Sequence, residues 1–253
     1  IKWWPFTIGA LAMKIVLLSP KGPLYRHRGG IFRRNLRYAP LTLTTLAALI
    51  PPELNACVEV LDEGVQELDT AQVAADLVGF TVITGTATRA YELADLYRAR
   101  GAHVCLGGPH VTSLPEEALR HADTVFLGPG EDTWPSFLAD FRSGRPGRVY
   151  QSRERTLLGQ PRPRRDLIKR HLYLVPNSIV VSRGCPHNCD FCYKASFYRH
   201  GRWFYTQTVD VALAEIDSLP GRHLYFLDDH LFGDLLGRGF TLASPLFWPK
   251  SAR

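Results

Sequence analysis

Five short apolar runs, each closed by glycine or proline, constrain this chain more than any other feature. They are "KIVLLSP" (14–20), "CVEVLDEG" (57–64), "LVGFTVITGT" (77–86), "HVCLGG" (103–108) and "DTVFLG" (123–128). Near-continuous apolar character over so few residues suits a strand buried on both faces. Between the runs lie "LTLTTLAALI" (41–50), "ATRAYELADLYRARG" (87–101), "LPEEALRHA" (114–122) and "EDTWPSFLADFRSG" (131–144). Their apolar residues recur three and four apart, the helical spacing. Strands alternating with helices predict a doubly wound, Rossmann-like α/β domain with a five-stranded parallel sheet over residues 13–144. Such sheets bind ligands at the carboxyl ends of their strands. The glycine-rich ends here are Gly85, Gly107–Gly108 and Gly128–Gly130. None is a G-x-G-x-x-G fingerprint, so a dinucleotide site is not expected.

The rest of the chain reads differently. Residues 145–177 are dense in Arg and Pro without a sustained period, which predicts a solvated basic linker. A phosphate or nucleic-acid patch is the alternative, but no interleaved aromatics favour it. The net charge of +6 is mild and does not argue for nucleic acid. A second α/β unit starts at "SIVVSRG" (178–184). It continues with a helix over 206–219, capped by Thr206 or Thr208, and a strand "HLYFLDD" (223–229). Strand, loop, helix and strand are the opening of a TIM-type parallel barrel, placed at 178–235. At the other end, "IKWWPFTIGALAM" is apolar for fewer than the ~20 residues of a membrane helix. Met13 is the single methionine and directly precedes the first strand, so residues 1–12 are expected to be an upstream extension outside the fold.

Three of the five cysteines fall within "SRGCPHNCDFCYK" (182–194), as Cys185, Cys189 and Cys192. Cys57 and Cys105 sit alone in apolar runs and are expected to be buried thiols. Clustered cysteines suit a metal in a reducing compartment such as the cytoplasm, rather than a disulfide framework. The C-x3-C-x2-C spacing in one loop can bind three corners of a 4Fe–4S cluster and leave one iron open. The alternative is zinc held by three Cys with His187 or His200, but no second Cys or His pair is present at zinc spacing.

"GCPHNCDFC" resembles the signature of the radical S-adenosylmethionine enzymes. The resemblance implies that Cys185, Cys189 and Cys192 ligate the cluster. It further implies that S-adenosylmethionine binds the open iron and that Phe191 lies against the adenine. "GGPHVTSLPEEAL" (107–119) and "FLGPGEDTWPSFL" (126–138) resemble the cobalamin-binding domain that precedes the radical domain in one subfamily. The resemblance covers roughly residues 13–235. By it, cobalamin would lie across Thr84, Gly85, Thr86, Gly107, Gly108, His110, Gly128, Gly130 and Glu131. One departure stands out: the D-x-H-x-x-G motif that supplies a cobalt-ligating histidine after the first strand is absent there. The literal match at Asp228–Gly233 lies in the other domain and reads as coincidence. His110 is a candidate to approach the corrin, a turn-stabilising role being the alternative. Asp228 and Asp229 are candidates for the ammonium of S-adenosylmethionine or a substrate, with helix capping as the alternative.

After "FLDDHLFGD" the pattern changes. Residues 236–253 lack acidic residues and helical period, and the barrel would stop after two strands. A truncated or frame-shifted gene is the expectation for this tail. The function expected is that of a cobalamin-dependent radical S-adenosylmethionine enzyme, or part of one, transferring a methyl group to an unactivated position of a small molecule. An electron donor such as flavodoxin or ferredoxin is implied, and no membrane partner. The rivals are a non-catalytic cofactor-binding fragment and a zinc-stabilised binding module.

Overall fold

The computed structural model describes residues 12–22, 38–66, 69, 73–187, 189–200 and 203–231. The readings of residues 1–12 and 236–253 fall, apart from Ala12, outside them.

The first strand, β1 (Met13–Ser19), pairs in parallel with β2 (Ala56–Asp62) and β3 (Leu77–Thr81). The sheet continues through β4 (His103–Gly107) and β5 (Thr124–Leu127) to β6 (Val149–Gln151). The order is β2-β1-β3-β4-β5-β6 with every pair parallel. Alternation along β1 feeds two cores, because successive side chains point to opposite faces. Ile15 and Leu17 pack with α1 (Leu41–Ala48) and α5 (Thr133–Arg142). Val16 and Leu18 pack with α2 (Ala87–Ala99), α3 (Pro109–Ser113) and α4 (Pro115–His121). Fully buried Leu17, Leu77 and Leu106 each contribute about 1.5–3 kcal/mol. The doubly wound architecture is the one expected.

Three details differ from expectation. The sheet has a sixth strand, β6, inside the tract read as linker; its three residues are too few to carry a pattern. Nor is the tract solvated throughout. Ser152 and Arg155 are buried, Val175 bridges to Tyr38, and Arg165 donates to Ser178 O and to Glu215, both at 2.6 Å. Cys57 is exposed, because β2 is an edge strand and this residue lies on its open part. Cys105, on interior β4, is buried as expected, and burial pushes its thiol pKa up.

The second unit pairs β7 (Ser178–Ile179) in parallel with β10 (Tyr225–Phe226). Helix α7 (Val209–Asp217) connects them and is capped by Thr208, which accepts from Val211 N at 3.4 Å. Ile179, Val181 and Ala212 form its small core. The segment read as one strand, 178–184, divides into β7 and β8 (Ser182–Gly184). β8 pairs antiparallel with β9 (Phe204–Thr206), so the cysteine loop and α6 (Lys194–Phe197) lie between the arms of a hairpin. Among the described residues, no helix is long and apolar enough to cross a membrane.

Candidate active site

The cysteine loop leaves β8 at Gly184, and this position demands glycine. Its φ is +83°, and a Cβ there would overlap Trp203 O. Cys185 and Cys192 are half-buried and Cys189 is exposed; all three are free thiols. A turn bond from Cys192 N to Cys189 O, 3.0 Å, folds the loop back toward α6. Phe191 projects into solvent at 92% exposure. Among the described residues, no three His, Cys, Asp or Glu side chains are gathered closely enough to hold a metal ion. The fit to an iron–sulfur cluster therefore lies in the donor set: three soft thiols on eight consecutive residues, with no other element needed to bring them together.

Asp228 and Asp229 follow β10 and serve different partners. Asp228 Oδ1 accepts from Val181 N (3.0 Å), Ser182 N and Ser182 Oγ (2.6 Å). Its Oδ2 is buried and finds no partner among the described residues. Burial raises its pKa, against the pull of the Ser182 hydrogen bonds. Asp229 Oδ2 accepts from Gly184 N (3.0 Å) and Tyr198 OH (2.8 Å), and its Oδ1 lies 3.4 Å from Lys194 Nζ. Burial pushes the Tyr198 phenol well up, which keeps it a donor. Among the described residues, neither aspartate caps a helix.

The residues proposed for cobalamin line one edge of the sheet, because β3, β4 and β5 are parallel neighbours. Thr84–Thr86 form a 3-10 turn after β3 with Thr84 and Gly85 exposed. Gly107 ends β4. Gly108 lies so close to Val82 that a Cβ would sit 2.6 Å from its carbonyl oxygen. His110 is buried rather than free: Nδ1 lies 3.2 Å from Thr84 Oγ1 and Nε2 3.4 Å from Glu117 Oε1. Gly128 faces Phe197 O and Ser152 Cβ, each 3.1 Å from where a Cβ would be, and Gly130 faces Leu46. The glycines thus let protein pack on protein at this edge. Glu131 makes an ion pair with Arg183 of β8. Burial works most strongly against the guanidinium charge, but Glu131, Tyr198, Tyr205 and Asp229 together outweigh it and hold the Arg183 pKa above its ordinary value.

The two units meet here. Ser113 Oγ of α3 lies 3.3 Å from Ser196 Oγ of α6, and Arg155 donates to Tyr198 O at 2.9 Å. A cavity of about 280 Å³ lies at the junction, lined by Leu41, Thr45, Glu131, Val180, Arg183 and Gln207 among others. Two features escaped the sequence. Ile83 is 55% exposed two residues past the end of β3, yet its run gave no sign of exposure. Arg155 is one of many arginines in its tract, and nothing local marks it as buried.

Residues 52–138 match the model of the B12 binding domain family. These residues are a B12-binding domain. The match spans β2 through most of α5 and includes the cobalamin candidates from Thr84 to Glu131. The chain is 35% identical over 170 residues to the bacteriochlorophyllide d C-8(2)-methyltransferase of Chlorobaculum tepidum, covering 62% of this chain and 36% of that protein. It is 29% identical over 228 residues to the hopanoid C-2 methylase of Rhodopseudomonas palustris, covering 83% and 41%. The chain thus spans well under half the length of these relatives. In fold it is similar to the radical S-adenosylmethionine methyltransferase TsrM from Kitasatospora setae, with a TM-score of 0.62 at 17% identity over 87% of this chain and 48% of that one. It is also similar to the cobalamin-dependent S-adenosylmethionine radical enzyme OxsB, with a TM-score of 0.67 at 18% identity over 88% and 35%. The two glycine motifs thus fall inside the matched B12-binding domain, and the chain shares its fold with solved radical S-adenosylmethionine enzymes.

Proposed function

We propose that this chain takes part in cobalamin-dependent radical S-adenosylmethionine chemistry, with methyl transfer to an unactivated carbon of a small molecule as its outcome. The observation that carries the reading is the docking of a three-thiol loop, through α6, on the carboxyl edge of the B12-binding sheet. Bound there, a 4Fe–4S cluster would supply the electron that cleaves S-adenosylmethionine, and cobalamin would supply the methyl group. Cys185, Cys189 and Cys192 would hold the cluster. Asp228 offers its unpartnered Oδ2 to the ammonium of S-adenosylmethionine, and exposed Phe191 offers a face to the adenine. Thr84, Gly85, Thr86 and Ile83 would offer the open surface on which a corrin could lie. His110 orients the Thr84 hydroxyl and stays off the cobalt, because both its ring nitrogens are engaged. Reduction of the cluster calls for an electron donor of the flavodoxin or ferredoxin type, in a reducing compartment such as the cytoplasm.

The test is anaerobic reconstitution of the full chain with iron and sulfide. About four irons per chain are expected. Cys185→Ala, Cys189→Ala and Cys192→Ala should each abolish uptake, whereas Cys57→Ala should not. Formation of 5′-deoxyadenosine under reducing conditions would complete the case. Stoichiometric zinc without iron uptake would replace it with a zinc-stabilised binding module.

A further inference from the structure

One carboxylate spans the mouth of the cysteine loop. Gly184, whose N–H donates to Asp229 Oδ2 at 3.0 Å, immediately precedes Cys185. Lys194, whose ammonium lies 3.4 Å from Asp229 Oδ1 and donates to Asp229 O at 3.2 Å, is two residues past Cys192. Tyr198, at the far end of α6, donates its hydroxyl to Oδ2 at 2.8 Å, and Tyr193 OH lies 3.5 Å from Oδ1. We infer that Asp229 is a positioning residue that closes the cysteine loop, tying its entry and its exit to one carboxylate so that only the span between them is left to order when the three thiols converge on a ligand.

The chemistry requires an aspartate. Every partner of the side chain is a donor, and an ionised carboxylate is acceptor-only, with room for several bonds. Asparagine would turn one acceptor into a donor facing either the Lys194 ammonium or the Gly184 N–H. The carboxylate is four-fifths buried, at 19% exposure, and paired with Lys194, so it adds little uncompensated charge beside thiolates that must themselves be anionic. A loop held at both ends from a third strand has less chain left to order, which lowers the ordering cost at the moment of binding.

The first arm of the test needs no cofactor. Amide hydrogen exchange is followed in the cluster-free full chain for peptides over 183–195 and over β3 to β5. Asp229→Asn should accelerate loop exchange by about tenfold or more, the scale of one lost bond to a charged group. Tyr198→Phe, which removes a single donor without endangering the fold, should move the same peptides in the same direction by a smaller factor. Asp229→Glu should restore part of the protection. Loop exchange unchanged in both Asp229→Asn and Tyr198→Phe would overturn the inference. So would equal acceleration in the sheet peptides, which marks general destabilisation. The second arm rests on the cluster reading proposed above: Tyr198→Phe with its full iron complement should show a shifted reduction potential and altered resonance of the reduced cluster. An unchanged potential and spectrum would refute the claim that the clamp reaches the thiols. Failure of the wild-type chain to take up iron would sink the cluster reading alone and leave the exchange result to decide the clamp.

Discussion

Glu131→Gln should loosen the cysteine module from the B12-binding sheet. Glu131 is 10% exposed and its partner Arg183 23% exposed, so the pair is mostly withdrawn from water. The guanidinium has no alternative anchor in its Nε, which is buried without a partner among the described residues. Breaking a buried pair by removing one member typically costs 3–5 kcal/mol, because the other charge is left uncompensated. Partial exposure of Arg183 sets the expectation at the low end, about 3 kcal/mol, or roughly two decades in an undocking equilibrium. The assay is peptide-resolved hydrogen exchange of the full chain in increasing urea. Peptides from β8 to α6 should lose protection at lower urea in the variant, while those from β3 to β5 keep theirs. Glu131→Leu combined with Arg183→Leu should cost less than either single change, since no orphan charge remains. The reasoning is refuted if each single change costs under about 1 kcal/mol and the two add, the behaviour of an exposed pair.

Gly184→Ala should disrupt the β8–β9 hairpin, because its Cβ would overlap Trp203 O; circular dichroism and exchange should show loss confined to the cysteine module. Asp228→Asn should be neutral or stabilising at pH 7, since its amide would replace the unpartnered Oδ2 and remove a buried charge, while binding of S-adenosylmethionine falls on titration. Because burial raises the Asp228 pKa above its ordinary 3.8, the folded state holds this proton more tightly than the unfolded chain. Its contribution is therefore fully present below pH 3.8 and is lost as pH rises through the higher folded value, a loss that the Asn variant should not show in urea melts across that window. His110→Ala should leave the spectrum of cob(II)alamin bound to the chain without protein nitrogen splitting, as in the wild type, while lowering stability by about 1 kcal/mol through loss of the Thr84 contact. Nitrogen splitting present in the wild type and absent in the variant would make His110 a cobalt ligand.

The strands with long apolar runs were legible because burial on both faces leaves its mark on every residue; β1, β3, β4 and β5 fall where the runs are. The cysteine loop was legible because its spacing is local. β6 was not, since its pairing with β5 is decided by partners rather than by Val149, Tyr150 and Gln151 themselves. Cys57 misled because an apolar run does not say which strand becomes the edge. Asp228 and Asp229 looked alike in sequence and differ only in what approaches them: two backbone amides and a serine in one case, the Gly184 amide with Lys194 and Tyr198 in the other. Glu131 was singled out for a ligand and found an arginine 52 residues away, and no local pattern encodes a pairing at that separation.

The covalent seam and the physical seam of this molecule do not coincide. The chain leaves α5 at Arg142, adds β6 to the sheet, and only then lays Ser152 and Arg155 beneath Tyr198 and Phe197. Residues 149–155 are thus the floor on which the cysteine module stands, tied to an apolar core through Tyr150. A graft that joined this module to another cofactor domain at Gly144 would carry this footing along but strip β6 of β5, the strand it pairs with. Recombination, in the laboratory or in descent, should succeed only where that short stretch travels with both of its neighbours, so the two units should behave as one heritable block rather than as interchangeable parts.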